Sequence, residues 1–182
     1  LEAVGGNPDD SIATIPMLSE GEKNQLLRQW NSTGAAFPQK CVHELFEEQV
    51  RRTPDSIAVV FGDQQLMYAE LNRRADQIAC RLRAMGVKPG VLVGLCAERS
   101  IELIAGLLGV LKAGGAYVPI DPAYPQERIQ FMLEDSGLRI LLTQERLLER
   151  LPHIGQLTLC LDSVASAASF ESAESYVAPR PS

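Results

Sequence analysis

The chain lacks the residue patterns that mark many metal proteins, nucleotide-binding proteins and hydrolases. It has only two histidines, His43 and His153, and its four cysteines form no C-x-x-C pair, so zinc-site spacing is absent. Neither glycine-rich phosphate loop, G-x-G-x-x-G or G-x-x-x-x-G-K-[ST], occurs. Neither histidine stands beside a serine or cysteine in a recognisable nucleophile motif. The sequence therefore offers no catalytic, cofactor-binding or metal-binding residue.

Long apolar runs and excess positive charge are also missing. The longest apolar stretch, Ile101–Leu111, is too short for a membrane span, which needs about 20 residues. The first residues lack the basic and apolar regions of a signal peptide. The formal net charge of -6 argues against nucleic acid, whose phosphates require clustered Lys and Arg. We expect a cytoplasmic protein without membrane or nucleic-acid partners.

What the chain does contain is enough apolar sequence for a core. Apolar residues make up 46% of the 182 residues and charged residues 22%, which is typical of a folded domain or part of a larger one. Cys96 and Cys160 lie in apolar runs, where cysteine usually acts as a small hydrophobic residue.

Apolar periodicity predicts strands that alternate with helices. The predicted strands are Ile57–Phe61, Gln65–Met67, Val91–Cys96, Ala116–Ile120, Arg139–Thr143 and Leu157–Leu161. The predicted helices are Val42–Arg52, Tyr68–Met85, Arg99–Lys112, one from a first-turn Pro125 to Gly137, and a short one over Glu145–Leu151. Continuously apolar strands indicate burial on both faces, so the expected fold is α/β: a partial doubly wound, mainly parallel sheet with helices on both faces.

The two ends of the chain differ from this region in composition and lack its regular alternation of strands and helices. Ser19 and Glu22 form a capping-box pattern, followed by Leu26, Leu27 and Trp30 on one face of a short helix. Residues 163–182 are rich in Ser, Ala and Pro, and we expect an exposed connection there.

Several polar residues have a structural interpretation that outweighs a chemical one. Asp121 could be a catalytic acid at a strand end, but a turn before Pro122 is favoured. Gly114 and Gly115 follow a helix and precede a strand, the wrong order for a phosphate cradle. The paired charges are interpreted as solvated helix faces; they are Glu47-Glu48, Arg51-Arg52, Arg73-Arg74 and Glu134-Asp135.

Two motifs resemble a known family. Residues Leu111–Asp121 resemble the second core motif of adenylation domains in nonribosomal peptide synthetases, LKAGxAYVPxD, and Leu66–Leu71 resembles the first, L-[TS]-Y-x-E-L. Four flanking stretches fit the same pattern: His43–Phe46, Arg52–Asp55, Glu98–Ser100 and Asp121–Pro125. The resemblance covers residues 41–161 almost continuously.

The resemblance implies three regions. Residues 1–15 resemble the tail of a condensation domain, residues 16–40 the linker with a short helix, and residues 41–182 the N-terminal portion of an adenylation domain. The complete domain would activate an amino acid with ATP and Mg²⁺ and load it on the phosphopantetheine thiol of a carrier domain. A condensation domain would lie upstream, and the rest of the adenylation domain and the carrier domain downstream.

The family's catalytic residues lie beyond the motifs present here, so none is carried over. The resemblance places the Ser/Thr/Gly-rich phosphate loop, the substrate-binding and ribose-binding aspartates and the C-terminal lysine downstream. We therefore expect the isolated chain to be inactive as an enzyme and to act as scaffold and interdomain platform. Two alternatives are a non-enzymatic docking scaffold, or part of a free-standing acyl-adenylating ligase with a carboxylic acid substrate.

Met67 departs from the first motif, where the family has Thr or Ser. A hydroxyl at this position would cap the following helix in a box with Glu70, and methionine lacks that acceptor.

Overall fold

The computed structural model describes residues 18–153 and 155–166. The interpretations of residues 1–15 and of residues 167–182 lie outside this part of the chain. The chain divides into two compact units, with the boundary after Gln39.

The described part of the first unit, residues 18–39, contains one short helical segment. Helix α1, Glu20–Asn24, continues into a π-helical turn, Gln25–Gln29. The predicted capping box is confirmed, because the Ser19 N–H donates to Glu22 Oε2 at 2.7 Å and Ser19 Oγ accepts from the Glu22 N–H at 3.2 Å. The side chains of Leu27 and Trp30 are exposed.

The second unit alternates strands and helices, as the sequence predicts. Its helices are α2 (Val42–Arg52), α3 (Tyr68–Ala84), α4 (Ile101–Lys112), α5 (Gln126–Asp135), a 3₁₀ helix (Glu145–Arg150) and α6 (Leu161–Ser166). Its strands are β1 (Ile57–Phe61), β2 (Gln64–Met67), β3 (Leu92–Cys96), β4 (Ala116–Pro119), β5 (Ile140–Thr143) and β6 (Leu157–Cys160).

Four of these strands form a parallel sheet in the order β4-β3-β5-β6. The chain runs from β3 through α4 to β4, then crosses β3 through α5 to reach β5. Strand order therefore reverses between β3 and β5 at the carboxyl edge of the sheet. In doubly wound sheets this switch point is where ligands bind.

Each face of the sheet is covered by its own apolar layer. Alternate strand residues, including Val93 and Leu142, pack with helices α3, α4 and α6. The intervening residues, including Cys96 and Leu141, pack with α5 and the 3₁₀ helix through Ile129, Leu133 and Leu147. The predicted mainly parallel sheet with helices on both faces is confirmed.

Most boundaries of the helices and strands lie within two residues of the predicted ones. At the starts of α4 and α5 the difference comes from the residue that caps the helix. Helix α4 begins at Ile101 rather than Arg99, because Ser100 Oγ accepts the Leu103 N–H at 3.2 Å and serves as the N-cap. Pro125 is the cap of α5 rather than its first residue. The predicted stop at Gly137 is confirmed, and Gly86 and Gly114 likewise follow the ends of α3 and α4; all three glycines have positive φ.

The prediction of Ile57–Phe61 as a buried strand is wrong. Strands β1 and β2 form a separate antiparallel hairpin around Gly62 and Asp63, outside the parallel sheet. Ala58 and Val59 pack against the core, but Ile57, Val60 and Phe61 are about half exposed. An apolar run alone does not show whether the rest of the fold supplies a cover for both faces.

The prediction of an exposed connection is wrong for residues 163–166. Residues Leu161–Ser166 form helix α6, and Val164 is only 2% exposed against the α3–α4 layer. The helix is too short for a periodic pattern to show in the sequence.

Replacing Met67 by threonine should stabilise the fold. Met67 is the N-cap of α3, with extended φ and ψ and no side-chain hydrogen bond. The first-turn N–H groups of Tyr68 and Ala69 already donate to Ser56 and Pro54 carbonyls, so the new hydroxyl would accept the Glu70 N–H. We expect the free energy of unfolding to rise by about 1 kcal/mol in urea titrations, with Met67→Ala, which adds no acceptor, showing no gain. Equal changes in the two variants would contradict the capping argument.

Candidate functional site

Lys112, from the Leu111–Asp121 motif, ties three helices together. Its side chain is 5% exposed, and its ammonium contacts Glu47 Oε1 at 2.8 Å, Asn72 Oδ1 at 2.9 Å and Asp76 Oδ1. The three oxygens match the three hydrogens of the ammonium. Because Glu47 lies on α2 and the other two partners lie on α3, Lys112 joins both helices to the end of α4.

Glycine is needed at positions 114 and 115 of the motif for two different structural reasons. Gly114 has φ +87°, a conformation that favours glycine, and its N–H donates to the Leu111 carbonyl at 3.0 Å. Gly115 is required by space, since an added Cβ would lie 2.8 Å from Val87 Cγ1. Together they turn the chain from α4 into β4 against the core.

The motif ends beside a cleft at the carboxyl edge of the sheet. This cleft has a volume of about 360 Å³ and is lined by Ala97, Glu98, Arg99, Asp121, Pro122, Ala123 and Arg150. Asp121 Oδ1 accepts the Ala123 N–H at 2.8 Å, which is the turn geometry that the sequence favoured. Its lining includes two arginines and two carboxylates but no histidine, serine or cysteine.

A buried glutamine fixes one wall of this cleft. Gln144 follows β5, is 5% exposed, and accepts the Glu98 N–H at 2.9 Å through Oε1. Its Nε2 donates to Ser100 Oγ at 3.4 Å, the hydroxyl that caps α4. Arg146 adds an ion pair with Glu98 at 2.7 Å. The sequence did not predict the role of Gln144, because a single polar residue after an apolar strand is also typical of a surface turn.

The two cysteines on strands of the parallel sheet are not activated. Burial, reinforced by the charge of Asp121 and opposed by Arg150, raises the pKa of the Cys96 thiol to about 11. Burial likewise raises the pKa of Cys160, on β6. A thiol with a raised pKa carries little thiolate at neutral pH. Cys96 is buried in the apolar layer, whereas Cys160 is only partly buried.

The chain matches one protein family over most of its length. The profile of the family described as AMP-binding enzyme matches residues 46–181. The chain belongs to the AMP-binding enzyme family. It corresponds to the N-terminal portion of an adenylation domain of nonribosomal peptide synthetases, because its relatives and the similar solved structures are of that kind.

Similar curated proteins are antibiotic synthetases. The chain is 53% identical over 164 residues to one of the linear gramicidin synthase proteins of Brevibacillus parabrevis, covering 90% of this chain and 2% of that protein. It is 53% identical over 153 residues to gramicidin S synthase 2 of Brevibacillus brevis, covering 84% of this chain and 3% of that protein. This adenylation-domain segment therefore spans only a few per cent of the length of these curated relatives.

Solved structures agree with the fold. The crystal structure of the nonribosomal peptide synthetase FmoA3 matches with a TM-score of 0.72 and 43% identity over 78% of this chain and 15% of that one. The N-terminal subdomain of NpsA from Klebsiella oxytoca matches with a TM-score of 0.69 and 25% identity, over 78% of this chain and 36% of that subdomain.

The described part of the adenylation-domain segment does not fit a nucleotide or a magnesium ion. No strand-to-helix connection within residues 18–153 and 155–166 contains glycine, so a backbone cradle for phosphates is missing there. Among the same residues, no three His, Cys, Asp or Glu side chains group as metal ligands. The described helices also include none that is long and apolar enough to cross a membrane.

The polar residues that the sequence analysis weighed lie at structural positions. His43 lies in the first turn of α2, and His153 lies in the loop that precedes β6. The interpretation of Glu47 and of Arg73-Arg74 as solvated faces was incomplete. Glu47 binds buried Lys112, while hydrogen bonds from Arg73 and Arg74 lower the pKa of Glu70 to about 2. The Glu47–Lys112 pair was missed because its two residues lie on different helices. The pairs of Glu70 with Arg73 and Arg74 were missed although all three residues lie on successive turns of α3.

Proposed function

We propose that this chain contributes the first part of an adenylation domain that activates an amino acid with ATP and Mg²⁺ to aminoacyl-AMP and loads it on a carrier-domain phosphopantetheine. The observation that supports this most is the 53% identity with the linear gramicidin synthase protein over 90% of the chain. In this proposal the segment works in the cytoplasm within a multidomain synthetase. Its own residues supply scaffold rather than catalytic groups.

The proposal assigns the regions as the motifs suggest. Residues 1–15 belong to the end of a condensation domain, residues 16–40 to the linker, and residues 41–182 to the adenylation domain. The sheet, the Lys112 contacts and the Gly114-Gly115 turn give the rigid base on which the downstream catalytic residues are placed. Catalysis of this kind depends mostly on positioning and charge stabilisation, which require such a base.

A segment exchange tests this function. Residues 46–166 would replace the matching segment in the adenylation domain of the linear gramicidin synthase protein that shows the 53% identity. Amino-acid-dependent exchange of pyrophosphate into ATP is then measured. We expect the chimera to retain exchange with the amino acid preference of its parent, and the 182-residue chain alone to show none.

Two results would contradict the proposal. A chimera that folds, judged by its circular dichroism and cooperative melting, but gives no exchange would favour a docking scaffold. A chimera that adenylates carboxylic acids lacking an amino group would favour the acyl-ligase alternative. The unmodified parent domain serves as the reference, and exchange by the chain alone would show that catalytic residues lie within it.

A further inference from the structure

The cleft beside Asp121 contains two arginines whose charges have no anionic partner. Arg99 and Arg150 line it together with Glu98 and Asp121. Among the described residues neither arginine forms an ion pair, whereas Glu98 is neutralised by Arg146 at 2.7 Å. Counting Arg146, three positive charges stand against two negative ones, so the cleft has a surplus of one positive charge.

Both walls of the cleft are held in place before any ligand arrives. Gln144 fixes the wall at Glu98, as described above. On the other wall, the Arg150 carbonyl accepts Gln126 Nε2 at 3.0 Å, and Arg150 Nη2 donates to the Pro122 carbonyl oxygen at 3.4 Å. Within the described part of the chain, the other N–H groups of the Arg150 guanidinium have no acceptor. Donors that are positioned in advance lower the entropic cost of binding.

Two helices begin at the same edge of the sheet as the cleft. The loop after β3 leads into α4 at Ile101, and the loop after β4 leads into α5 at Gln126. The N-terminal end of a helix carries partial positive charge, which favours a nearby anion. This field adds to the surplus charge of the two arginines, so the cleft favours an anion over a cation.

The arginine donors fit a phosphate group better than a carboxylate. A guanidinium binds either group through two parallel N–H···O bonds. A carboxylate is planar, and one arginine occupies both of its oxygens. A tetrahedral phosphate group directs its oxygens apart and can accept from two arginines at once. The donors here are side chains, so the cleft differs from the backbone cradle of a nucleotide site.

We infer that this cleft binds the phosphate group of a phosphate ester through Arg99 and Arg150. Two sources carry this chemistry: the phosphopantetheine of a carrier domain, which the proposed function requires, and a free phosphorylated small molecule. The inference itself does not rest on the proposed function, because binding needs only the residues that line the cleft.

Titration of the 182-residue chain with inorganic phosphate, followed by NMR at constant ionic strength, tests the inference. We expect saturable shifts of the backbone amides of residues 97–99 and 121–123. Arg99→Gln and Arg150→Gln should each weaken binding about tenfold, because each removes charged hydrogen bonds. Arg128→Gln removes the same charge from an exposed position on α5 outside the cleft and should leave the affinity unchanged. Circular dichroism checks that each variant is folded.

Asp121→Asn gives an effect of the opposite sign. Asparagine keeps an oxygen that accepts the Ala123 N–H, so the turn is retained, while one negative charge leaves the cleft. We expect phosphate to bind about fivefold tighter, the effect of one unit charge at close range in water. Loss of structure would not tighten binding, so this variant separates the charge of the cleft from its stability. Unchanged or weaker binding by the folded variant would count against the inference.

Three further ligands identify the source of the phosphate. If 4′-phosphopantetheine binds at least about tenfold tighter than inorganic phosphate, the source is the carrier domain, and equal affinities assign a free phosphate. Pantetheine that binds as well as its phosphate, or chloride that gives the same shifts, would overturn the inference. Equal losses in the Arg99, Arg128 and Arg150 variants would overturn it too. Pyrophosphate exchange by the chimera tests the proposed function separately.

Discussion

Replacing Gly109 by alanine is expected to destabilise the fold by about 2 kcal/mol, although alanine favours helices by about 1 kcal/mol over glycine. Gly109 lies in α4 where it meets α3. An added Cβ would lie 2.6 Å from Ile78 Cγ2, 2.8 Å from Ile78 Cβ and 3.2 Å from the Ala75 carbonyl oxygen. Isoleucine is stiff at χ1 and the carbonyl belongs to the helix backbone, so the two helices have to separate.

Gly106→Ala is the matched control for this change. Gly106 lies on the same helix and gains the same helix propensity, but its added Cβ would lie 3.0 and 3.2 Å from the two Cδ atoms at the flexible end of Leu161. We expect its free energy of unfolding, measured by urea titration with circular dichroism, to stay within about 1 kcal/mol of the parent. A Gly109→Ala protein as stable as the Gly106→Ala protein would show that the α3–α4 contact is looser than described.

Replacing Lys112 by methionine is expected to cost about 2 kcal/mol of folding free energy. Methionine keeps the packing of the buried stem but removes the ammonium, which leaves Glu47, Asp76 and Asn72 without their shared donor. The two carboxylates are 38% and 48% exposed, so water can solvate them in part. This solvation keeps the cost below the roughly 3–5 kcal/mol of a fully buried broken pair.

Lys40→Met provides the comparison for Lys112. Lys40 also pairs with a glutamate on α2, Glu48, but both side chains are more than 40% exposed. Exposed pairs contribute about 0–1 kcal/mol, so we expect a much smaller change in the urea midpoint. Equal losses in the two variants would mean that burial of Lys112 adds nothing to its three contacts. Added salt should reduce the effect of Lys40 more than that of Lys112, because buried pairs are screened less.

The sequence predicted the alternation of elements because the strands and helices of the second unit before α6 carry local signals of their own. The stripe from Leu71 to Leu82 and the apolar run Leu92–Cys96 are local patterns, and the helix stops are glycines that adopt positive φ. The family assignment came from the same source, since the Leu111–Asp121 motif is a continuous stretch. Gly114 has a local role that the sequence alone predicts, whereas Gly115 is required by a contact with Val87, which is distant in the sequence.

The contacts that join distant residues could not be predicted in this way. The Lys112 contacts need Glu47, which lies far earlier in the chain, and the cleft wall needs Gln144 to reach the Glu98 N–H. The half-exposed hairpin was predicted as a buried strand because an apolar run shows a tendency to be buried and not which surface buries it.

The amino-acid sequence by itself determined the secondary structure, the mainly parallel α/β class and the membership of the adenylation family, because these depend on short-range periodicity and on a continuous motif. Tertiary structure alone decided the strand order β4-β3-β5-β6, the position of the Lys112 ammonium among three oxygens and the exposure of Ile57, Val60 and Phe61 in the β1–β2 hairpin. The physical reason is that packing free energy depends on which surfaces meet in space. That pairing is set by the whole chain and not by any single segment.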